Sequence, residues 1–182
     1  MQTRHSKKFA ATISGGLLLG TMGGGSAMAQ SWPTPAPRID ARETVPPALL
    51  GTWKLSLAES RFPAGAAPKA QYRIFSYTGD GLLLANYVMV NADGTKTAAN
   101  WTSALDDSFR PEYKWESGTS VYAMIQLIRK DERTFDLVSH KNGKIAESGE
   151  FLVSADGKSL TWTHQSSGTN YVSVYHPWDM LN

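Results

Sequence analysis

A histidine and two glutamates near the carboxyl end of the chain have a spacing that could support proton transfer. His164 lies in the run "KSLTWTHQ", and Glu147 and Glu150 lie in the preceding run, "KIAESGEFLVS". Both runs alternate apolar and polar residues, which is typical of β-strands, and the Asp-Gly between them predicts a hairpin. We expect His164 to share the inward face of its strand with Leu160 and Trp162, near one end of the sheet.

The carboxylate that faces His164 depends on the hairpin turn. A two-residue turn pairs His164 with Gly149 and places Glu147 on the diagonal, whereas a three-residue turn with a Gly bulge pairs it with Ser148 and places Glu150 there. Either diagonal spans about 7–8 Å between backbones. Because imidazole ordinarily titrates near pH 6.5, such a pair could act as a catalytic acid and base. Alternatively, the imidazole bonds a rim group and the glutamates face water.

Other signatures of catalysis are absent from the sequence. It contains no cysteine, which excludes thiol catalysis and thiolate metal sites. Beyond residue 29 the histidines are His140, His164 and His176, which lie in separate runs without metal-ligand spacing. The sequence also lacks the Gly-x-Ser-x-Gly elbow, the phosphate-binding loop and the dinucleotide fingerprint. We therefore expect no metal site and no cofactor.

From residue 49 onward, short alternating runs are separated by turn signals such as "TGDG", "NADG", "KNGK" and "SADGK". This pattern predicts an all-β fold, a single antiparallel up-and-down meander. Closing the meander into a barrel of about eight to ten strands would remove its exposed edges. The segment "DDSFRPEYKW", residues 106–115, interrupts the alternation and is predicted to be a rim loop or lid.

The N-terminal residues indicate export. Arg4, Lys7 and Lys8 precede a weakly apolar stretch, and Ala27-Met28-Ala29 fits the rule for signal-peptide cleavage. We expect residues 1–29 to be a cleaved signal peptide, residues 30–48 a proline-rich tether and residues 49–182 the barrel domain. The protein would then be periplasmic or secreted, without stable membrane insertion. After cleavage 15 basic residues face 16 acidic ones, and this balance indicates no nucleic-acid partner.

The beginning of the barrel domain carries a family resemblance. Gly51-x-Trp53 at the head of a meander resembles the lipocalin or calycin superfamily. "GTWKLSLAESRF" and "SADGKSLTWT" resemble, more specifically, small secreted bacterial lipocalin-like domain proteins. The resemblance implies a lipocalin-like barrel with the Trp53 indole across its closed end, and a cavity for a small apolar molecule. It also implies a structural cation–π contact of Arg73 or Arg129 with Trp53.

Side chains on the predicted strands could line that cavity. Tyr77 and Asn86, together with His164, would orient a ligand through polar groups, and aromatic rings would supply the apolar wall. Alternatively, these side chains fill the barrel and leave no pocket. The expected ligand-binding residues are Phe75, Tyr77, Asn86, Trp101, Trp115, Tyr122, Trp162 and Tyr175.

Three functions remain open from the sequence. The first is binding of a small hydrophobic or aromatic molecule in the barrel. The second is a metal-free and cofactor-free isomerase, lyase, cyclase or hydratase that uses His164 with Glu147 or Glu150, and a hydroxyl from Tyr77 or Tyr175. The third is a structural or envelope-stress module with a filled barrel. The sequence does not indicate an oligomeric state.

Overall fold

The structure, a computed structural model, describes residue 45 and residues 47–116, 118–166 and 169–179. The expected signal peptide and nearly all of the expected proline-rich tether lie outside these residues. Within them, no helix has the length and apolar character needed to cross a membrane.

The described residues form ten antiparallel strands, which confirms the all-β prediction at the upper end of the expected strand number. Each strand pairs with its neighbour in sequence, and the first strand also pairs with the last, so the up-and-down meander closes into a barrel. A short 3-10 turn, Pro47–Leu49, precedes the first strand. The strands are β1 (Gly51–Arg61), β2 (Ala70–Tyr77), β3 (Leu83–Val90), β4 (Lys96–Ser103), β5 (Arg110–Glu116), β6 (Thr119–Arg129), β7 (Thr134–Lys141), β8 (Lys144–Val153), β9 (Leu160–Ser166) and β10 (Thr169–Pro177).

Strand β5 corrects the prediction of a continuous loop over residues 106–115. Its residues Arg110–Glu116 pair with both β4 and β6. Glu112 on this strand is buried inside the barrel, whereas Tyr113 and Trp115 are 59% and 46% exposed on its outer face. Strand β5 thus has a charged residue inside and aromatic residues outside, the reverse of the usual barrel strand. A sequence pattern with apolar residues facing inward therefore does not identify β5.

One end of the barrel is closed by apolar side chains. Trp53, near the start of β1, is 2% exposed, and its indole N–H donates to the carbonyl of Leu49 at 2.8 Å. This bond anchors the 3-10 turn to the barrel end, and the position of Trp53 agrees with the implied role of the Gly-x-Trp motif. Fully buried neighbours complete the apolar packing, namely Leu83, Leu127, Phe135, Val153 and Leu160.

The middle of the barrel and the half opposite Trp53 contain most of the buried polar side chains. The inward faces of β2, β4, β5, β7 and β9 supply them. A polar group buried without a partner costs free energy, so these buried polar residues indicate a candidate site in the half of the barrel away from Trp53. The residues are Gln71, Arg73, Thr97, Glu112, Ser139 and His164.

Candidate functional site

A row of rings in mutual contact runs along the inside of the barrel. It arises because β8, β9 and β10 place aromatic residues opposite one another, Phe151 against Trp162 and His164 against Tyr171. Phe151 and Trp162 stack at 4.4 Å, and His164 and Tyr171 stack at 4.1 Å with an angle of 15° between their planes. In order from the barrel end opposite Trp53, the rings belong to Phe62, Tyr171, His164, Trp162, Phe151 and Phe75.

The guanidinium of Arg73 is buried among aromatic rings in the middle of the barrel. Its Cζ atom lies 4.9 Å from the ring centre of Phe151, and those of Tyr87, Tyr175 and Trp162 lie within 5.7 Å. These distances are typical of cation–π contacts. None of the four rings is Trp53, the partner that the family resemblance implies for Arg73 or Arg129.

The described hydrogen-bond partner of Arg73 is neutral. Its Nε atom donates to the Tyr175 hydroxyl at 3.2 Å, and that hydroxyl donates to Oε1 of Gln71 at 2.8 Å. Among the described residues, no carboxylate lies within ion-pair distance of the guanidinium. Because arginine remains charged at any physiological pH, this buried charge is held by rings and a hydroxyl rather than by a counter-ion.

His164 is fixed in one orientation near Arg73. We call these two residues, together with Tyr87, Glu112, Glu147, Tyr171 and Tyr175, the cluster. Its Nδ1 atom lies 3.3 Å from the carbonyl oxygen of Thr169, which can only accept, so Nδ1 carries a proton. The second ring nitrogen, Nε2, lies 3.7 Å from Oε2 of Glu147. Protonation of Nε2 would convert this contact into an ion pair. The arrangement can thus accept a proton at one defined atom.

The hairpin register explains why Glu147, and not Glu150, faces His164. His164 pairs with Gly149, as the two-residue turn predicts, although the loop is longer, with Ser154 and Ser159 still bonded across it. The offset between the strands is the same for both loop lengths. Glu150 is exposed on the outer face of β8.

The charges around the cluster shift the pKa values of its acids in opposite directions. Burial acts to raise the pKa of Glu147, but the nearby imidazole of His164 and the charge of Arg73 hold it below its usual range. The Glu147 side chain is nevertheless 43% exposed, so solvent screens these effects. The pKa of Glu112 is raised, first by burial and then by the negative charge of Glu147.

The pKa values of two tyrosines in the cluster are raised. Burial raises the pKa of Tyr171 to about 12, and the charge of Glu147 acts in the same direction. Burial and the charges of Glu112 and Glu147 raise the pKa of Tyr87. Both hydroxyls therefore keep their protons at neutral pH and can donate hydrogen bonds.

The residues expected to bind a ligand fall into two groups in the structure. Phe75, Trp101, Trp162 and Tyr175 are buried inside the barrel, and Tyr77 packs against the same core. The second group, Asn86, Trp115 and Tyr122, lies on the outer face and borders one external cleft.

The sequence pattern placed Asn86, Trp115 and Tyr122 inside the barrel for an identifiable reason. Leu83 and Ala85 face inward on β3, so Asn86 points outward, and Ala123 and Ile125 on β6 leave Tyr122 outside and 59% exposed. Small inward residues and large outward ones reverse the expected pattern. These three positions do not line the barrel interior.

Sequence reasoning also missed several residues of the cluster. Arg73 shares the parity of Phe75 and was expected to be structural, and Tyr171 shares the parity of Tyr175, so both had a detectable signal. No such sequence signal existed for Glu112, because β5 was not recognised as a strand.

Within the described part of the chain, no three His, Asp or Glu side chains are grouped so that they could hold a metal ion. Comparison with models of known protein families finds no match. Comparison with curated proteins finds none either.

Proposed function

We propose that this chain is a lipocalin-like protein that acts outside the cytoplasm and binds a small hydrophobic or aromatic molecule inside its barrel. The observation that carries the proposal is the row of rings from Phe62 to Phe75, which leads from the barrel end opposite Trp53 toward the end that Trp53 closes. Such a row offers flat apolar surface to a molecule that enters between the strands. The apolar plug around Trp53 favours entry from the opposite end.

The polar groups of the cluster suggest how a ligand would be oriented. The described hydrogen bond of the Arg73 guanidinium goes to a neutral hydroxyl, so its other N–H groups can donate to an acidic or carbonyl oxygen. The hydroxyls of Tyr87 and Tyr171 are further donors around it. We therefore expect a ligand with an apolar or aromatic body and one polar, oxygen-bearing end.

Binding can be tested with the full exported protein and 1-anilinonaphthalene-8-sulfonate, an aromatic anion whose fluorescence rises in apolar surroundings. We expect saturable binding with energy transfer from tryptophan, weakened by Phe62→Ala. Phe109→Ala is the control, since Phe109 is exposed and contacts His140 rather than the row. Native mass spectrometry of protein from its own periplasm would show any bound natural compound. No saturable binding and no co-purified compound would favour the filled structural barrel.

A second candidate function is an isomerase or lyase that needs no cofactor. The 3.7 Å separation between Oε2 of Glu147 and Nε2 of His164, whose Nδ1 faces the Thr169 carbonyl, favours it. Such a base, next to tyrosines that keep their protons, could move a proton on a bound carbonyl compound.

The enzyme reading requires that the proton be transferred by His164. On any substrate identified from bound compounds, His164→Asn should abolish turnover and Glu147→Gln should change its pH profile. Glu150→Gln is the matched control, because that carboxylate faces outward. Turnover that survives His164→Asn would leave binding as the function.

A further inference from the structure

The outer face of β3 to β6 carries a patch that is independent of the barrel interior. Directly paired residues form one row across the four strands, in the order Asn86, Asn100, Tyr113 and Tyr122. A second row, two residues along, runs from Val88 through Ala98 to Trp115. Two amides, three aromatic rings and an alanine therefore share one side of the sheet.

These two rows enclose a cleft of about 500 Å³, which we call the outer cleft. The small side chain of Ala98 lies between Val88 and Trp115 and leaves the space between them open. Tyr113 and Tyr122 meet at 6.3 Å with their planes at 62°, so their rings form an angled wall. The volume lies within the range of about 300–1,000 Å³ that is usual for small-molecule sites.

The rings of the outer cleft are available to a ligand. Tyr113 and Tyr122 are both 59% exposed, and Trp115 is 46% exposed. Contiguous exposed apolar surface of this kind is uncommon on a soluble domain without a binding role.

The two amides of the outer cleft are neutral and unengaged, whereas the Tyr122 hydroxyl donates to Sδ of Met124. Within the described part of the chain, the side chains of Asn86 and Asn100 make no hydrogen bond. Lys114 is the one charged residue among those that line the cleft, and its Nζ atom is paired with Glu116 at 3.3 Å. Each amide offers both donors and an acceptor next to the aromatic rings.

We propose that the outer cleft binds a neutral sugar unit of an oligosaccharide. A pyranose ring presents a face of C–H groups, which fits against tyrosine and tryptophan rings, and a rim of hydroxyls, which matches the donors and acceptors of Asn86 and Asn100. A charged ligand would find no counter-charge there, because Lys114 is already paired. An apolar ligand or protein face would strip water from both amides without replacing its hydrogen bonds, which costs free energy.

The test uses the full exported protein and three uncharged hexasaccharides, cellohexaose, maltohexaose and chitohexaose, followed by calorimetry and tryptophan fluorescence. At least one should bind, and Trp115→Ala should weaken its binding roughly tenfold, the scale of one lost ring contact. Asn100→Ala should weaken it by a similar factor. Ile145→Ala is the matched control, since Ile145 is an exposed apolar residue on β8 and should leave affinity unchanged.

Two results would overturn the proposal. The first is no binding of any of the three sugars at millimolar concentration, and the second is binding that survives Trp115→Ala. If the protein instead self-associates and Trp115→Ala abolishes the association, the outer cleft belongs to an interface between two copies. Phe62→Ala should not alter sugar binding, so this outcome can be separated from failure of the interior site.

Discussion

The indole of Trp162 occupies the space that a side chain at position 149 would need. A Cβ atom added to Gly149 would lie 2.5 Å from Cη2 of Trp162 and 2.3 Å from the backbone oxygen of Thr163. Gly149, which pairs with His164, therefore allows the row of rings to pass close to the backbone of β8.

Gly149→Ala should destabilise the barrel by about 1–3 kcal/mol, because both the indole and the β9 backbone must move. Urea unfolding followed by tryptophan fluorescence measures the change. Gly79→Ala is the control, since nothing lies within 4 Å of a Cβ there, and it should change stability by less than about 0.5 kcal/mol. Equal stability of the two variants would contradict the close approach.

Glu112→Gln should stabilise the protein at neutral pH. Burial, and then repulsion from Glu147, raise the pKa of Glu112 in the folded state above its ordinary value of 4.5. Above pH 4.5 the unfolded chain loses this proton first, so stability falls as pH rises through the window up to the folded pKa. Unfolding midpoints of both proteins between pH 4 and 8 should diverge with increasing pH.

The control for this experiment is Glu132→Gln at an exposed position, which should not make the two curves diverge. A Glu112→Gln variant that is less stable than wild type by the same amount at every pH would show that the glutamate acts through packing or bonding instead of charge.

His176 should titrate above pH 6.5. Its Nδ1 atom lies 2.9 Å from the carbonyl of Lys158 and its Nε2 atom 2.6 Å from Oε2 of Glu59, and both partners accept hydrogen bonds. The bond to the Lys158 carbonyl, followed by that to Glu59, raises the pKa of His176. The resulting stabilisation is complete below pH 6.5 and is lost as pH rises through the folded pKa.

NMR titration of the imidazole measures this directly, and Glu59→Gln should move the His176 transition to lower pH. Glu150→Gln, which alters a distant exposed carboxylate, should leave it in place. A transition at or below 6.5 in the unmodified protein would mean that the imidazolium does not make both bonds in solution.

Ser60 repairs an interruption between β1 and β10. Strand pairing shifts between Ser56 and Arg61, and the Ser60 hydroxyl accepts from the amide of Val174 at 2.9 Å and donates to the carbonyl of Ser56 at 2.6 Å. Ser60→Ala leaves both groups without this partner and should cost about 1–3 kcal/mol in urea unfolding. Ser148→Ala, which removes one long bond of 3.3 Å at an exposed position, should cost much less.

The parts of the fold that the sequence predicted are those where apolar residues face inward. Phe135 and Leu137 on β7, or Leu160 and Trp162 on β9, alternate with half-exposed residues, and such runs identify a strand and its face together. The register of the His164 hairpin stayed between two turn lengths, which differ by one residue and therefore place opposite faces of β8 beside His164.

Strand β5 and the outer cleft could not be predicted in this way. Glu112 faces the interior while Tyr113 and Trp115 face solvent, so residue type and direction are reversed. The inward direction of Arg73 could be predicted from the parity it shares with Phe75, but its partners could not, since rings from β3, β8, β9 and β10 meet around it only after the barrel closes.

The broken pairing between β1 and β10 has a kinetic consequence. This seam joins the two ends of the meander, and Ser60 and Val174, which bond across it, are 114 residues apart in the chain. The other strand pairs are neighbours in sequence, so closing the seam carries the largest loop entropy of any pairing in the barrel. We expect closure of the barrel between β1 and β10 to be the slow step of folding. The backbone amides beside the interrupted pairing should exchange with solvent before those of the local hairpins.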